Sequence, residues 1–178
     1  RLGTSLPTEP CLNLETLASH FDLNSFSRTP PRFDEQELEH LNHKLLQIMP
    51  FDQVKDRLES LNAREVTEVI WAIIRGNLHT LNDVKIWQKI LFGDIPSVCF
   101  SDDDQAFLKL AESYLPEGPW NQETWGQWTQ CLKELTGRKG KSLFMPLRKA
   151  LTGVDNGPEM KDLLPLIGPE KTKRRLKI

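Results

Sequence analysis

The segment Gly137-Arg138-Lys139-Gly140-Lys141-Ser142 holds residue types that suit phosphate. Two glycines let backbone N–H groups approach an anion closely, and Arg138, Lys139 and Lys141 add positive charge. A nucleotide-binding loop of the Gly-x4-Gly-Lys-Ser/Thr type needs its first glycine at position 135, where Leu135 stands, and a strand before it. The segment therefore reads as a contact for a polyanion backbone and not as a nucleotide site. Eleven residues on from Gly137 lies Arg148, whose planar guanidinium suits bidentate contact to a base edge or a phosphate. Spacing alone leaves a second role open, an ion pair with an acid of its own domain. Asp155-Asn156-Gly157-Pro158 then forms a tight turn, with backbone polar groups free to pair with an unstacked base.

Other constellations carry less. Asp102-Asp103-Asp104 are carboxylates of the kind that ligate metal, yet three acids in a helix's first turn are explained by the helix dipole. His40 and His43 share a helical face at metal-ligand spacing, with no Cys or further His to complete a site. No motif ties a Ser or Cys to a histidine base, so neither a catalytic residue nor a metal ligand is assigned. Cys11, Cys99 and Cys131, odd in number and widely spaced, fit neither a disulfide framework nor a zinc site, and point to a reducing cytoplasm.

The elements that would position these groups read as helices. Asp34 is a candidate N-cap with Glu35 and Glu37 behind it, and Leu38, Leu41, Leu45 and Ile48 follow at helical spacing. Phe51, Val54, Leu58 and Leu61 give a second helix, Val66, Ile70, Trp71, Ile73 and Ile74 a third, and Val84, Trp87, Ile90 and Leu91 a fourth ending at Gly93. Ser101 caps a helix with Phe107, Leu110 and Tyr114 inward, and Asn121 one with Trp125, Trp128, Leu132 and Leu135 in a stripe up to Gly137. Pro146, tolerated only in a first turn, puts the next helix start at Phe144 to Met145. Its Leu143, Leu147, Ala150 and Leu151 face inward, and it ends at Gly153. A further helix is expected near Glu159 to Leu164. Nothing alternates with period two, so the expected fold is all-α, nine or ten short helices in two packed lobes. Residues 1–33 form an irregular linker with one short helix near Leu14 to Phe21, residues 34–100 a first lobe and 101–178 a second.

The chain has 178 residues and a formal net charge of −2, which hides an asymmetry. Residues 137–178 carry 11 Lys/Arg against four Asp/Glu, a net +7, and the rest carry 12 against 21, a net −9. A basic segment on an acidic body suits a polyanion contact at one end. The longest apolar run, Val69 to Ile74, is far too short for a membrane span of about 20 residues. Opening on Arg1, the chain reads as a piece of something larger.

Gly-Arg-Lys-Gly-Lys-Ser-Leu-Phe-Met-Pro-Leu-Arg-Lys-Ala-Leu-Thr-Gly (137–153), Gly-Pro-Glu-Met (157–160) and Leu-Leu-Pro-Leu-Ile-Gly (163–168) resemble the C-terminal anticodon-binding region of bacterial glutamyl-tRNA synthetase, a class I aminoacyl-tRNA synthetase. Arg1-Leu-Gly-Thr-Ser5, Phe-Ser-Arg (26–28), Pro-Arg-Phe-Asp (31–34) and Leu-Asn-His-Lys-Leu-Leu (41–46) are similar to the stretch after the catalytic core. The pattern looks closest to alphaproteobacterial members. The resemblance covers essentially the whole chain, and Leu-Arg-x-Ala-Leu-Thr-Gly is its most specific piece. The His-Ile-Gly-His and Lys-Met-Ser-Lys type signatures of the family's catalytic domain are absent from these residues.

The resemblance implies that the parent enzyme uses ATP and magnesium to attach glutamate to tRNA-Glu. This segment would need no cofactor and would clamp the anticodon end. It carries an anticodon-contacting role over to Arg148 and to the turn positions Gly157, Pro158 and Met160; Gly157 stands where some relatives have Thr, so no side-chain hydroxyl is offered there. The family's arginine that distinguishes the first anticodon base has no readable match. The basic segment assigns phosphate contacts to Arg138, Lys139, Lys141, Lys173, Arg174 and Arg175. Expected partners are tRNA-Glu and the catalytic domain, with no membrane, no DNA and a monomeric state. The rival reading is a non-catalytic helical protein-interaction domain, docking through the Trp-rich stretch 121–136 and carrying a basic tail.

Overall fold

The computed structural model describes residues 3–4, 7–30 and 34–177. Pro31, Arg32 and Phe33 of the family-like Pro-Arg-Phe-Asp stretch, and Arg1, Leu2 and Ser5 of the first, lie outside them. Among the described residues every regular element is helical, and Thr4 and Phe26 make an isolated antiparallel bridge. Contacts divide the chain into two compact units, Arg1–Val84 and Lys85–Ile178.

In the first unit, α1 (Leu14–Ser19) has no buried residue, and Leu14, Phe21 and Leu23 stay exposed around it. Asp34 caps α2 (Glu35–Ile48), accepting from the Gln36 N–H at 2.9 Å. Of α2 only Leu46 is buried; Leu38 and Ile48, expected inside from their spacing, are exposed. Helical periodicity gives the phase of a stripe, but one covered flank buries only part of it. Pro50 opens α3 (Phe51–Ser60), which buries Val54 and Leu58, and α4 (Glu68–Ile74) buries Ile70, Trp71 and Ile74. Met49 O, left open where α2 stops, accepts from Trp71 Nε1 at 2.9 Å and Arg75 Nη1 at 3.2 Å. Burial of each such large apolar side chain contributes about 1.5–3 kcal/mol.

The second unit holds most of α5 (Val84–Phe92), then α6 (Asp102–Ser113), α7 (Gln122–Thr136), α8 (Lys141–Thr152), α9 (Met160–Ile167) and α10 (Pro169–Leu176). Helix α5 groups with α6–α10, whereas the residue pattern assigns that stretch to the lobe 34–100. The physical tie is Trp87, whose ring lies on Gly157, and the α5 carbonyls that receive α10 side chains. Ser101 and Asn121 cap α6 and α7 as their sequence signals. Here α9 lies along α7, α8 packs on α6 and α7, and α10 closes against α6, α8 and α9. Leu108, Leu132, Leu143, Leu147, Leu151, Leu163, Leu164 and Leu176 form the core. Tyr114 and Leu135, at helix ends, turn out exposed.

The start of α8 differs from the expectation. The helix begins at Lys141, so Pro146 sits in its sixth position and not in its first turn. A proline there has no N–H for the carbonyl four residues back. That carbonyl, Ser142 O, instead accepts from Arg138 Nη1 at 2.9 Å.

Candidate nucleic-acid interface

Gly137, with φ 69°, ends α7 in the left-handed conformation, and Gly140, with φ 54°, starts α8 without a side-chain cap. Between them Arg138 and Lys139 have different fates. The Arg138 side chain is 13% exposed, ion-paired with Asp103 and with Asp104 at 2.7 Å, and lies 4.3 Å above the Phe107 ring. Its guanidinium is thus engaged by α6 and by Ser142. The acids at 102–104 serve their helix's dipole and this arginine. Lys139 and Lys141 are exposed at the α8 N-terminus.

At 100° per residue, positions 141, 144 and 148 of α8 fall within one sector about 60° wide, opposite Leu143 and Ala150 and flanked by buried Leu151 and Thr152. Arg148 stands at the end of this row. Its Nη2 donates to Pro158 O at 2.9 Å, while its buried Nη1 has no hydrogen-bond partner. Burial pushes the guanidinium pKa down from its usual range, but an arginine so placed keeps its charge. Of the two roles left open by spacing, the ion pair is not made: its one acceptor is a neutral carbonyl. A buried donor without an acceptor costs about 1–3 kcal/mol, more when charged.

The turn that supplies this carbonyl is anchored where the chain enters it. The Thr152 hydroxyl donates to Arg148 O at 2.7 Å and accepts from the Val154 N–H at 3.3 Å, and Lys149 pairs with Asp155 at 2.9 Å. A Cβ on Gly157 would lie 2.2 Å from the Trp87 ring. That accounts for glycine here: the space of a threonine side chain is filled by Trp87, a residue sequence reasoning placed only in a core stripe. Pro158 is buried and Met160 is 4% exposed. The turn therefore presents backbone, and the Met160 side chain belongs to the core.

Across α10 the basic residues divide again. Arg175 donates to Leu151 O at 2.7 Å, Ile90 O at 2.7 Å and Gly93 O at 3.0 Å, and Lys171 Nζ to Leu91 O at 2.5 Å. These are the open C-terminal carbonyls of α5 and α8, where a cation also complements the helix dipole. Burial, then the neighbouring Arg174 charge, lowers the Arg175 pKa, and Asp94 opposes this. Arg174 reaches Asp94 at 3.0 Å from an exposed position, and Lys173 is exposed. A cleft of about 370 Å³ runs beside them, lined by Lys149, Arg174 and Lys177 together with Pro96 and Phe100. Neither Lys149 nor Lys177 was singled out from sequence, since only the fold brings residues 94–100 beside α8 and α10.

The remaining candidates resolve locally. His43 Nδ1 donates to Leu78 O at 2.6 Å and its ring stacks on His79 at 4.9 Å. Among the described residues no three His, Cys, Asp or Glu gather into a metal-binding group, and no helix is long and apolar enough to cross a membrane. Trp128, the centre of the rival docking face, is 1% exposed and donates to Ala111 O at 3.2 Å.

A helical unit with a half-buried guanidinium beside a backbone turn, and lysines to either side, carries residue types of the kind that contact RNA loops. A family model described as an anticodon binding domain matches residues 43–178, and the chain belongs to that family. More particularly, it is homologous to part of glutamate–tRNA ligase. It is 46% identical over 176 residues to glutamate–tRNA ligase 1 of Brucella ovis, covering 98% of this chain and 38% of the relative. Glutamate–tRNA ligase 2 of Brucella melitensis matches with the same identity and the same shares. The chain thus spans well under half the length of these curated relatives. In fold it is similar to the crystal structure of a glutamate tRNA ligase from Elizabethkingia meningosepticum in complex with its amino acid, with TM-score 0.73, 20% identity, and coverage of 93% of this chain and 36% of the other. Glutamate-tRNA synthetase from Elizabethkingia anophelis gives TM-score 0.71 at 21% identity, with coverage of 98% and 37%.

Proposed function

We propose that this chain reads the anticodon loop of tRNA-Glu and serves a glutamate–tRNA ligase whose ATP- and magnesium-dependent chemistry is carried out by other residues, in the reducing cytoplasm. The observation that carries the reading is the Arg148 Nη1, buried and without an acceptor, beside the backbone of the 157–158 turn. An unpaired base that docks on the turn and displaces the cover over this nitrogen supplies the missing acceptor. Base edges in an anticodon loop are unpaired, so they are open to such contact. Gly157 lets Trp87 pack against the turn and so fixes the backbone the base meets, Pro158 O orients the guanidinium, and Met160 supports the turn from below.

Phosphate contacts fall to the exposed cations: Lys139 and Lys141 at the start of α8, and Lys173 and Arg174 on α10, with Lys149 and Lys177 in the same cleft. Arg138 and Arg175 are withdrawn from that role, because their guanidinia are engaged by carboxylates and carbonyls of the same unit. Phosphate contacts fix register and carry affinity, and Arg148 with the adjoining turn carries specificity.

The test is binding of this chain to the anticodon stem-loop of tRNA-Glu and to that of an unrelated tRNA, at two salt concentrations. A preference for the glutamate loop that survives added salt is expected. Arg148→Ala is expected to cost about 1–3 kcal/mol of that binding and to flatten preference among anticodon variants. Equal binding to both loops, erased by salt, would overturn the reading.

A further inference from the structure

One aromatic on the same flank of α8 as Arg148, Phe144, stays partly exposed. Phe144 is 43% exposed and lies between Lys141 and Arg148 along one flank of α8. Isolated exposed apolar residues are common and mean little. This one is held from beneath: its ring centroid lies 6.2 Å from that of half-buried Trp125, tilted by 36°. Trp125 in turn meets Trp128 edge-on at 5.8 Å and 73°, and Trp128 is rooted in the core by its bond to Ala111 O. The result is a short aromatic column rising from the core, with Phe144 as its open end. Lys141 precedes that end by one turn, Arg148 follows it by one turn, and Lys139 lies in the preceding loop.

Resting on the anticodon reading above, we propose that Phe144, backed by Trp125, is the stacking platform for a second unpaired RNA base, next to the base taken by Arg148. Three features fix the occupant as single-stranded RNA. Aromatic rings interleaved with cations bind single strands, because every base has a π-face and every linkage a charge. The cations around Phe144 complement a phosphodiester chain and not an apolar protein helix. Phe144 and Arg148 are separated by about 6 Å along the helix axis, more than the 3.4 Å rise of nucleotides stacked in a duplex strand. Two neighbouring bases can therefore occupy the two positions only when unstacked from each other, as in a loop. The helical spacing sets Phe144 on the flank of Arg148, outside the inward stripe, but gives no sign of the Trp125 ring beneath it.

The experiment uses the whole chain and the tRNA-Glu anticodon stem-loop, in wild-type form and with an abasic nucleotide at each loop position in turn. Phe144→Ala and Phe144→Leu should both weaken binding, by roughly 5- to 150-fold. Phe144→Leu keeps an apolar side chain in contact with Trp125, so its weaker binding reports the ring and not the packing. Phe144→Tyr should bind as the wild type does. One abasic position should weaken the wild type as much as Phe144→Leu does and weaken that variant no further. If wild type prefers the glutamate loop while Phe144→Leu binds it equally well, the platform is overturned and the Arg148 reading stands. If wild type shows no preference for the loop, both are overturned.

Discussion

Arg175 on α10 and Arg148 on α8 are two half-buried guanidinia, both lowered in pKa by burial, yet their surroundings differ in kind. Arg175 sits among three carbonyls, at the converging ends of α5 and α8. Arg148 has one carbonyl and a buried Nη1 left without a partner. The first is a staple; the second, on the function proposed above, is an incomplete site. Both lie in the same basic stretch of chain, and they differ in the number of acceptors their own fold supplies. Arg138, met by two carboxylates and Ser142 O, belongs with Arg175.

The largest effect expected from this contrast is on stability. Arg175→Met removes three charge-assisted bonds and leaves their carbonyls unpaired, which should cost about 3–5 kcal/mol. The readout is the urea midpoint, with the slope unchanged. Arg175→Lys should recover only part, because an ammonium lacks the planar fork that spans two helix ends. Arg148→Ala should leave the same midpoint within about 0.5 kcal/mol of wild type, since it deletes one bond and also one unsatisfied donor. A large loss of stability for Arg148→Ala would erase the distinction between staple and site.

A smaller effect tests the turn that holds the one Arg148 acceptor. A methyl group on Gly157 must displace Trp87, whose ring lies 2.2 Å from where that carbon would stand, so Gly157→Ala should cost about 1–3 kcal/mol. The cost should fall in a Trp87→Leu background, which opens the space, and the difference between the two is a direct measure of coupling. Additive losses would mean that the turn shifts freely and that Trp87 does not set the position of Pro158 O.

Much of this contrast lay outside what one sequence displays. Helix starts and stops were readable where their chemistry is local: Asp34, Ser101 and Asn121 as caps, Gly137 and Gly153 as left-handed ends. The basic segment and the position of Arg148 were readable as well. Where a group's role depends on residues far along the chain, the pattern was silent. Arg138 meets acids 34 and 35 residues away, and its bond to Ser142 O also explains why α8 can begin at Lys141 in spite of Pro146. Arg175 caps carbonyls more than 80 residues back, and a carbonyl has no residue type to betray it. The Trp87 ring under Gly157 obeys the same rule, distant in sequence and in contact only once folded.

The smallest expected effect separates α10's two outward cations, Lys173 and Arg174, from its two inward ones, Lys171 and Arg175. Lys173 is exposed, and nothing in its surroundings asks it to stabilise the fold. Lys173→Ala should leave unfolding unchanged and weaken the glutamate loop and an unrelated loop by the same factor. It should also lower the dependence of log affinity on log salt by about one, as expected when one phosphate fewer is neutralised. Arg175→Met, measured where the chain remains folded, should leave that slope where it was. A change of slope in Arg175→Met alone would put a phosphate on the buried guanidinium and break the division on which the comparison with Arg148 rests.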